Sequence, residues 1–234
     1  MKAIVADVMA ELGLSVPESM AGIAREPVPS EVVERLPPAQ RDMDGLARRL
    51  RRWGAPELAV QLLTEGGLEQ TESVCASNRL VEAARAGAVW CCLAGPVGAG
   101  KTTAAALWLS KVPGRGGARA LIASERIARL PANTVHTETR LEALVDAAAL
   151  VIDDVGRRDQ AQGQGQQGIE LAPFVQGVLC ERYDARKPTL LTANLDERRL
   201  VQILGDDRMR SRWGEVGAYA AVRQVVRPNR RGRA

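Results

Sequence analysis

Two hydrophobic periods alternate along the chain, and the switch between them is the first structural signal. Ile4, Val5, Val8, Met9 and Leu12 fall on one side of a helix, so residues 2–12 read as short and amphipathic. Prolines at 27, 29, 37 and 38 then break any period, which predicts an irregular linker. Helical periods return over residues 43–53, 56–63 and 71–86, the last stopping at Gly87. From residue 88 the pattern changes to a continuous apolar run, AVWCCLA, of the length expected for a strand buried on both faces. Similar runs occupy residues 119–124, 148–152 and 188–193, with a last candidate strand over 218–226. Helical segments separate them at 102–111, 139–146, 169–184 and 196–204.

Strands alternating with helices need right-handed crossovers, which produce a parallel sheet covered on both sides. The expected fold class is therefore α/β, a parallel five-stranded sheet flanked by helices and preceded by a small helical N-terminal region. The stretch RRDQAQGQGQQG, residues 157–168, is polar and of low complexity, so it predicts a loop. The chain divides into a helical region over 1–69, the α/β domain over 70–226 and a basic tail over 227–234.

Composition adds limits. Hydrophobic residues make up 46% and charged residues 26%, enough for a packed core. Aromatics are only 3%, so the core must rest on Leu, Val, Ile and Ala, and platforms for stacking bases are scarce. Any nucleic-acid binding should then be electrostatic, salt-sensitive and poor in sequence preference. The net charge of +4 admits a polyanionic partner, although an arginine excess also arises from a GC-rich genome. Arg48, Arg49, Arg51 and Arg52 form the densest basic cluster, suited to phosphates, to an acidic protein surface or simply to water.

Cys75, Cys91, Cys92 and Cys180 contain no C-x-x-C pair and His136 is the single histidine, which disfavours a structural zinc site. Reduced thiols suit a cytoplasmic protein. Asp7 and Glu11 interrupt the first segment, so it does not read as a signal peptide, and no apolar stretch is long enough to span a membrane.

Chemistry enters where the first strand ends. Gly95 to Thr102, GPVGAGKT, fits G-x-x-x-x-G-K-[ST]. Gly95, Pro96, Val97, Gly98, Ala99, Gly100, Lys101, Thr102 and Thr103 form a candidate phosphate cradle, with backbone N–H groups and a helix N-terminus facing the anion. Lys101 would reach the β- and γ-phosphates, and the Thr102 hydroxyl would ligate Mg²⁺. A later strand ends in Asp153-Asp154, two carboxylates that repel unless a cation lies between them. Asp153 would hold Mg²⁺ directly or through water, and Asp154 would polarise the attacking water. The strand over 188–193 leads to Thr192 and Asn194. Lying between the loop strand and the acidic strand, it would present both side chains at the γ-phosphate, with Asn194 orienting the water. In GDDRMRSRWGE, Arg208, Arg210 and Arg212 alternate and do not share one helix face, so one of them is free to point at a neighbouring subunit. Each pattern also has a plainer reading: a capping acid pair, a strand-to-helix asparagine, a solvated basic helix.

Taken together, GPVGAGKTT, LVIDDVG, CERYDARKPTLLTANL and GDDRMRSRW resemble the AAA+ ATPases in order and spacing. They are most similar to the bacterial helicase-loader group (DnaC/IstB-like), which includes the ATPase subunits of some transposition systems. The resemblance covers residues 73–213. It implies Walker A roles for Lys101 and Thr102, and Walker B roles for Asp153 and Asp154. Asn194 takes the sensor-1 position, and Arg212 is implied as an arginine finger acting on the next subunit. It further implies ATP and Mg²⁺ as cofactors, a ring or spiral homo-oligomer, single-stranded DNA, and a replicative hexameric helicase gripped by the N-terminal region. Two departures stand out. Asp154 replaces the glutamate general in AAA+ proteins, which predicts slow hydrolysis. Only about twenty residues follow Arg212, too few for a helical lid, so assembly is expected to complete the site.

The expected function is ATP hydrolysis coupled to loading a helicase on single-stranded DNA. The alternatives are a transposition regulator that oligomerises on double-stranded DNA, a small-molecule kinase, and a nucleotide-gated scaffold.

Overall fold

A computed structural model describes residues 38–65, 71–114, 117–131, 134–156, 173–205 and 207–223. Helices α1 (Pro38–Arg52), α2 (Glu57–Thr64) and α3 (Glu72–Arg85) come first. Gly54 ends α1 with φ +86°. Its N–H donates to Arg51 O and that of Ala55 to Leu50 O, so two terminal carbonyls find partners in a turn that glycine enters without strain. Gly87 closes α3 in the same way, through Ala84 O and Ala83 O. At the other end of α3 the Thr71 side chain caps the helix by accepting from Val74 N–H.

The α/β part then alternates as the apolar periods predict. β1 (Trp90–Ala94), α4 (Lys101–Lys111), β2 (Arg119–Ala123), α5 (Ser124–Ala128) and α6 (Val135–Asp146) lead to β3 (Ala149–Val155). α7 (Pro173–Asp184), β4 (Thr189–Ala193), α8 (Glu197–Ile203), α9 (Asp207–Val216) and β5 (Gly217–Ala221) follow. The sheet order is β2-β3-β4-β1-β5, and every pairing is parallel. β4 therefore lies between the loop strand and the acidic strand, as expected.

Alternation along β1 divides the core. Trp90, Cys92 and Ala94 face a cluster with Leu150, Ile152, Leu191, Leu179 and Trp213. Cys91 and Leu93 face the opposite cluster with Val151, Leu190, Ala105 and Trp108. That second cluster also contains Leu50, Ala59 and Val60, so α1 and α2 share their core with the sheet. The Trp53 carbonyl accepts from Leu121 N–H at 2.6 Å, which closes part of the β2 edge.

Arg182 on α7 is fully buried and binds elements far apart in sequence. Its guanidinium donates to Leu144 O, Val145 O and Ala147 O at the end of α6, to Pro188 O, and to Thr189 Oγ1 at the start of β4, all at 2.6–3.0 Å. A cation at a helix C-terminus also meets the negative end of the helix dipole. Burial pushes its pKa down to about 9, still charged at neutral pH.

Some boundaries differ from the pattern. α6 starts at Val135, four residues before the helical period, because Thr134 caps a polar first turn that carries little apolar signal. α5 went unpredicted: five residues are too few to show a period, and Ser124 reads as the end of a strand. β3 continues past Ile152 through both aspartates. The last strand is Gly217–Ala221, and α9 occupies the arginine-rich segment. The expected helix over 2–12, the loop over 157–168, the tail over 227–234 and all of the expected linker over 27–38 except Pro38 lie outside the described residues, and Pro38 is the first residue of α1.

Candidate functional site

The site forms where β1 stops. Gly95 continues the pairing by donating to Ala193 O at 3.1 Å, while Val222 N–H donates to Ala94 O at 2.8 Å. A Cβ on Gly95 would lie 2.6 Å from the Val222 carbonyl oxygen, so neighbouring backbone demands glycine here. The loop turns through Gly98 and Gly100, both at positive φ. Gly100 precedes α4 without a side chain to cap it, so the first N–H groups of α4 remain available to an anion.

Lys101 is 8% exposed and folds back over the loop. Its ammonium donates to Gly95 O and Pro96 O at 2.9 Å each, and to Asn194 Oδ1 at 2.7 Å. Burial lowers its pKa from the usual lysine value, and the Asp154 and Asp153 carboxylates oppose that shift. Thr102 Oγ1 donates to both Asp153 oxygens, at 3.0 and 3.2 Å. Burial holds the Asp153 pKa above the usual carboxylate value, against the hydrogen bonds from Thr192 and Thr102.

Asp154 stands at φ +62°, a left-handed conformation that costs a residue with a Cβ. The β3–β4 register shifts here, between Ile152 and Val155. Two hydroxyls brace the irregularity. Thr192 Oγ1 donates to Asp153 Oδ1 at 2.5 Å and accepts from Asp154 N–H at 2.9 Å. Ser124 Oγ donates to Asp154 O at 2.8 Å. The bend interrupts the regular β3–β4 register at the acid pair, and the two hydroxyls fix the Asp154 backbone there.

The structure thus brings Lys101 onto Asn194 and Thr102 onto Asp153, two hydrogen-bonded pairs built from consecutive residues of α4, with Asp154 next in the chain. Thr192 departs from its expected orientation. It is 1% exposed and engaged with the acid pair, so it braces Asp153 and Asp154 instead of presenting a hydroxyl to a phosphate. Ser124 was missed. The signal available was a lone serine at a strand end, which gives no hint of a carbonyl 30 positions away.

Arg212 lies elsewhere. It projects from α9 onto the end of α7, 4.3 Å from the Tyr183 ring centroid, and donates to Asp184 at 3.2 Å. α9 leads directly into the start of β5, whereas the loop leaves the far end of the adjacent β1. Arg212 therefore sits at the opposite end of the strands from Lys101 of its own chain. Arg210 pairs with Asp207 at 3.1 Å.

The donor chemistry fits Mg²⁺. The Thr102 hydroxyl and the Asp153 carboxylate are hard oxygen ligands in direct contact with each other. No group of three or more His, Cys, Asp or Glu that could hold a metal occurs among the described residues.

No family model and no curated protein sequence matches the chain. Solved structures do. A candidate primosome component from Streptococcus pyogenes serotype M3 is 20% identical, with a TM-score of 0.50, covering 67% of this chain and 81% of the other. DnaI is 16% identical, with a TM-score of 0.49, covering 67% and 88% respectively. AMPPCP-bound DnaA from Aquifex aeolicus is 18% identical, with a TM-score of 0.42, covering 62% and 43%. The likeness is one of fold, a parallel five-stranded α/β sheet flanked by helices.

Proposed function

We propose that the chain is an ATPase of the helicase-loader type, which binds ATP with Mg²⁺, assembles with copies of itself and places a replicative hexameric helicase on single-stranded DNA. The observation that carries the nucleotide part is the Lys101–Asn194 contact beside the Thr102–Asp153 contact, at the mouth of a glycine loop. Lys101 would exchange the loop carbonyls for β- and γ-phosphate oxygens, leaving Asn194 to orient a water. Asp154 would polarise that water, and its short side chain makes hydrolysis slow. Thr102 and Asp153 would hold Mg²⁺, which neutralises charge on the phosphates when bound.

The position of Arg212 supports an assembled enzyme. It faces away from its own loop, so the transition-state cation of each site comes from the next copy in a ring or spiral. Residues 1–69 are the proposed partner-binding region, of which α1 and α2 share the core of the sheet. The AAA+ domain is assigned to 70–226 and the basic tail to 227–234. No described helix is long and apolar enough to cross a membrane, and the assigned place of action is the cytoplasm.

Two measurements test this. Lys101→Ala should weaken binding of a fluorescent ATP analogue at least about 100-fold, because the loop loses its only phosphate-facing cation. Electron microscopy with ATP analogue, single-stranded DNA and a replicative helicase should show a joint complex. Filaments on double-stranded DNA that ignore the helicase would instead establish the transposition-type reading.

A further inference from the structure

α1 ends in four arginines that the fold treats unequally. Arg51 is neutralised by Glu57 through two bonds, at 2.6 and 2.9 Å. Arg48, Arg49 and Arg52 are exposed and make no ion pair among the described residues. A fourth guanidinium lies close by. Arg119, at the start of β2, donates to Leu109 O and to Val112 O at the end of α4, and stacks 5.3 Å from the Trp53 ring centroid. Burial lowers the Arg119 pKa, and the positive charge of Arg49 lowers it further. Like charges are thus held together, and among the described residues no carboxylate pairs with Arg48, Arg49 or Arg52.

We propose that this arginine face of α1, with Arg119 behind it, is a docking surface for the phosphodiester backbone of a nucleic acid, separate from the nucleotide site. The proposal deepens the DNA part of the reading above and rests on it. Arg48 and Arg52 are four residues apart, which sets their Cβ atoms about 5–6 Å apart on one side of the helix. Guanidinium forks at that spacing suit successive phosphates.

An acidic protein partner fits less well. Protein interfaces centre on buried apolar or aromatic anchors. The exposed large hydrophobics among the described residues are Leu58, Val97 and Val135, so α1 itself has none and its neighbour α2 has one. A polyelectrolyte needs only the charges. The surface also lies beside β2, the edge strand, whereas the phosphate loop leaves β1 three places along the sheet. Nucleic acid and ATP can therefore be held together.

The test is fluorescence anisotropy of the full chain with a labelled 30-nucleotide oligo-dT and with a duplex of equal length, titrated across 50–200 mM salt. The variant is R48Q/R49Q/R52Q, with R48Q and R52Q alone as milder versions, because these exposed side chains contribute little to the core. Expected is binding at least about tenfold weaker at 50 mM salt. The slope of log affinity against log salt should fall by about 2, with each single variant giving a third of that. Thermal midpoint and affinity for a fluorescent ATP analogue should match the parent. Unchanged affinity and slope in the triple variant would overturn the surface while leaving a DNA-binding ATPase intact. A parent that binds neither oligonucleotide would overturn both. Displacement of oligo-dT by polyglutamate at lower charge concentration than by unlabelled oligo-dT would overturn it in favour of an acidic protein.

Discussion

Replacing Arg182 by methionine separates two opposing effects of a buried cation. Methionine is also unbranched and fills most of the same slot, so the change removes donors more than volume. Five bonds go. Three of the acceptors keep another contact: Val145 O receives Lys187 Nζ, Pro188 O receives Leu150 N–H, and Thr189 Oγ1 donates to Lys187 O. Leu144 O and Ala147 O depend on Arg182. Each buried carbonyl left unpaired costs about 1–3 kcal/mol, or about 2–6 kcal/mol for the pair. Recovering the desolvation of the guanidinium offsets part of this, because Arg182 has no buried carboxylate to share it with. The expected net loss is about 3 kcal/mol. With a urea slope of about 2 kcal/mol per M, the unfolding midpoint falls by about 1.5 M. Urea titrations followed by circular dichroism and by tryptophan fluorescence supply the check, with coincident curves verifying two-state behaviour. R182K should fall between parent and methionine, since an ammonium reaches some of the carbonyls but not all. A methionine variant as stable as the parent, or more so, would show that desolvation dominates and that Arg182 does not hold α6 to β4.

Other outcomes follow from the site. Asp153 has its folded-state pKa raised by burial, so the empty protein is most stable with that group protonated and loses stability as pH rises from the ordinary carboxylate value, 3.8, through the raised one. Asp153→Asn should therefore raise the thermal midpoint of nucleotide-free protein at neutral pH, flatten that acid-side dependence, and abolish the extra stabilisation that Mg²⁺ gives with ATP. Asn194→Ala frees Lys101 from one acceptor, so ATP-analogue affinity should stay within about threefold while turnover falls about 100-fold, as for loss of a water-positioning group. Parent-like turnover by that variant would remove Asn194 from the mechanism. Arg212→Ala should leave nucleotide binding by the single chain unchanged and reduce hydrolysis in the assembled state about 1,000-fold. Mixing Arg212→Ala with Lys101→Ala chains should then restore part of the activity, and failure at every ratio would argue against a shared site.

The sequence by itself determined what neighbouring residues can encode. Continuous apolar runs marked the buried strands, helical periods marked most of the helices, and Gly87 marked a helix end. The spacing from Gly95 to Lys101 and Thr102 marked a glycine loop at the end of the first strand, and the structure adds that Val222 O leaves no room for a side chain at Gly95. The acid pair was legible because two adjacent carboxylates at a strand end ask for a cation. Tertiary structure decided what depends on strand order. Lys101 and Asn194 meet across 93 positions only because β4 lies beside β1. Thr192 looked like a phosphate-facing hydroxyl in the strand pattern, but a register shift in the neighbouring strand turns it into the brace of Asp153 and Asp154. Arg182 finds its partners only because the fold brings the end of α6 and the start of β4 over it. The alternating arginines of α9 left open which way each one points; the packing of α9 on the end of α7 decides it for Arg212, which lies on Tyr183 and Asp184 at the opposite end of the strands from Lys101.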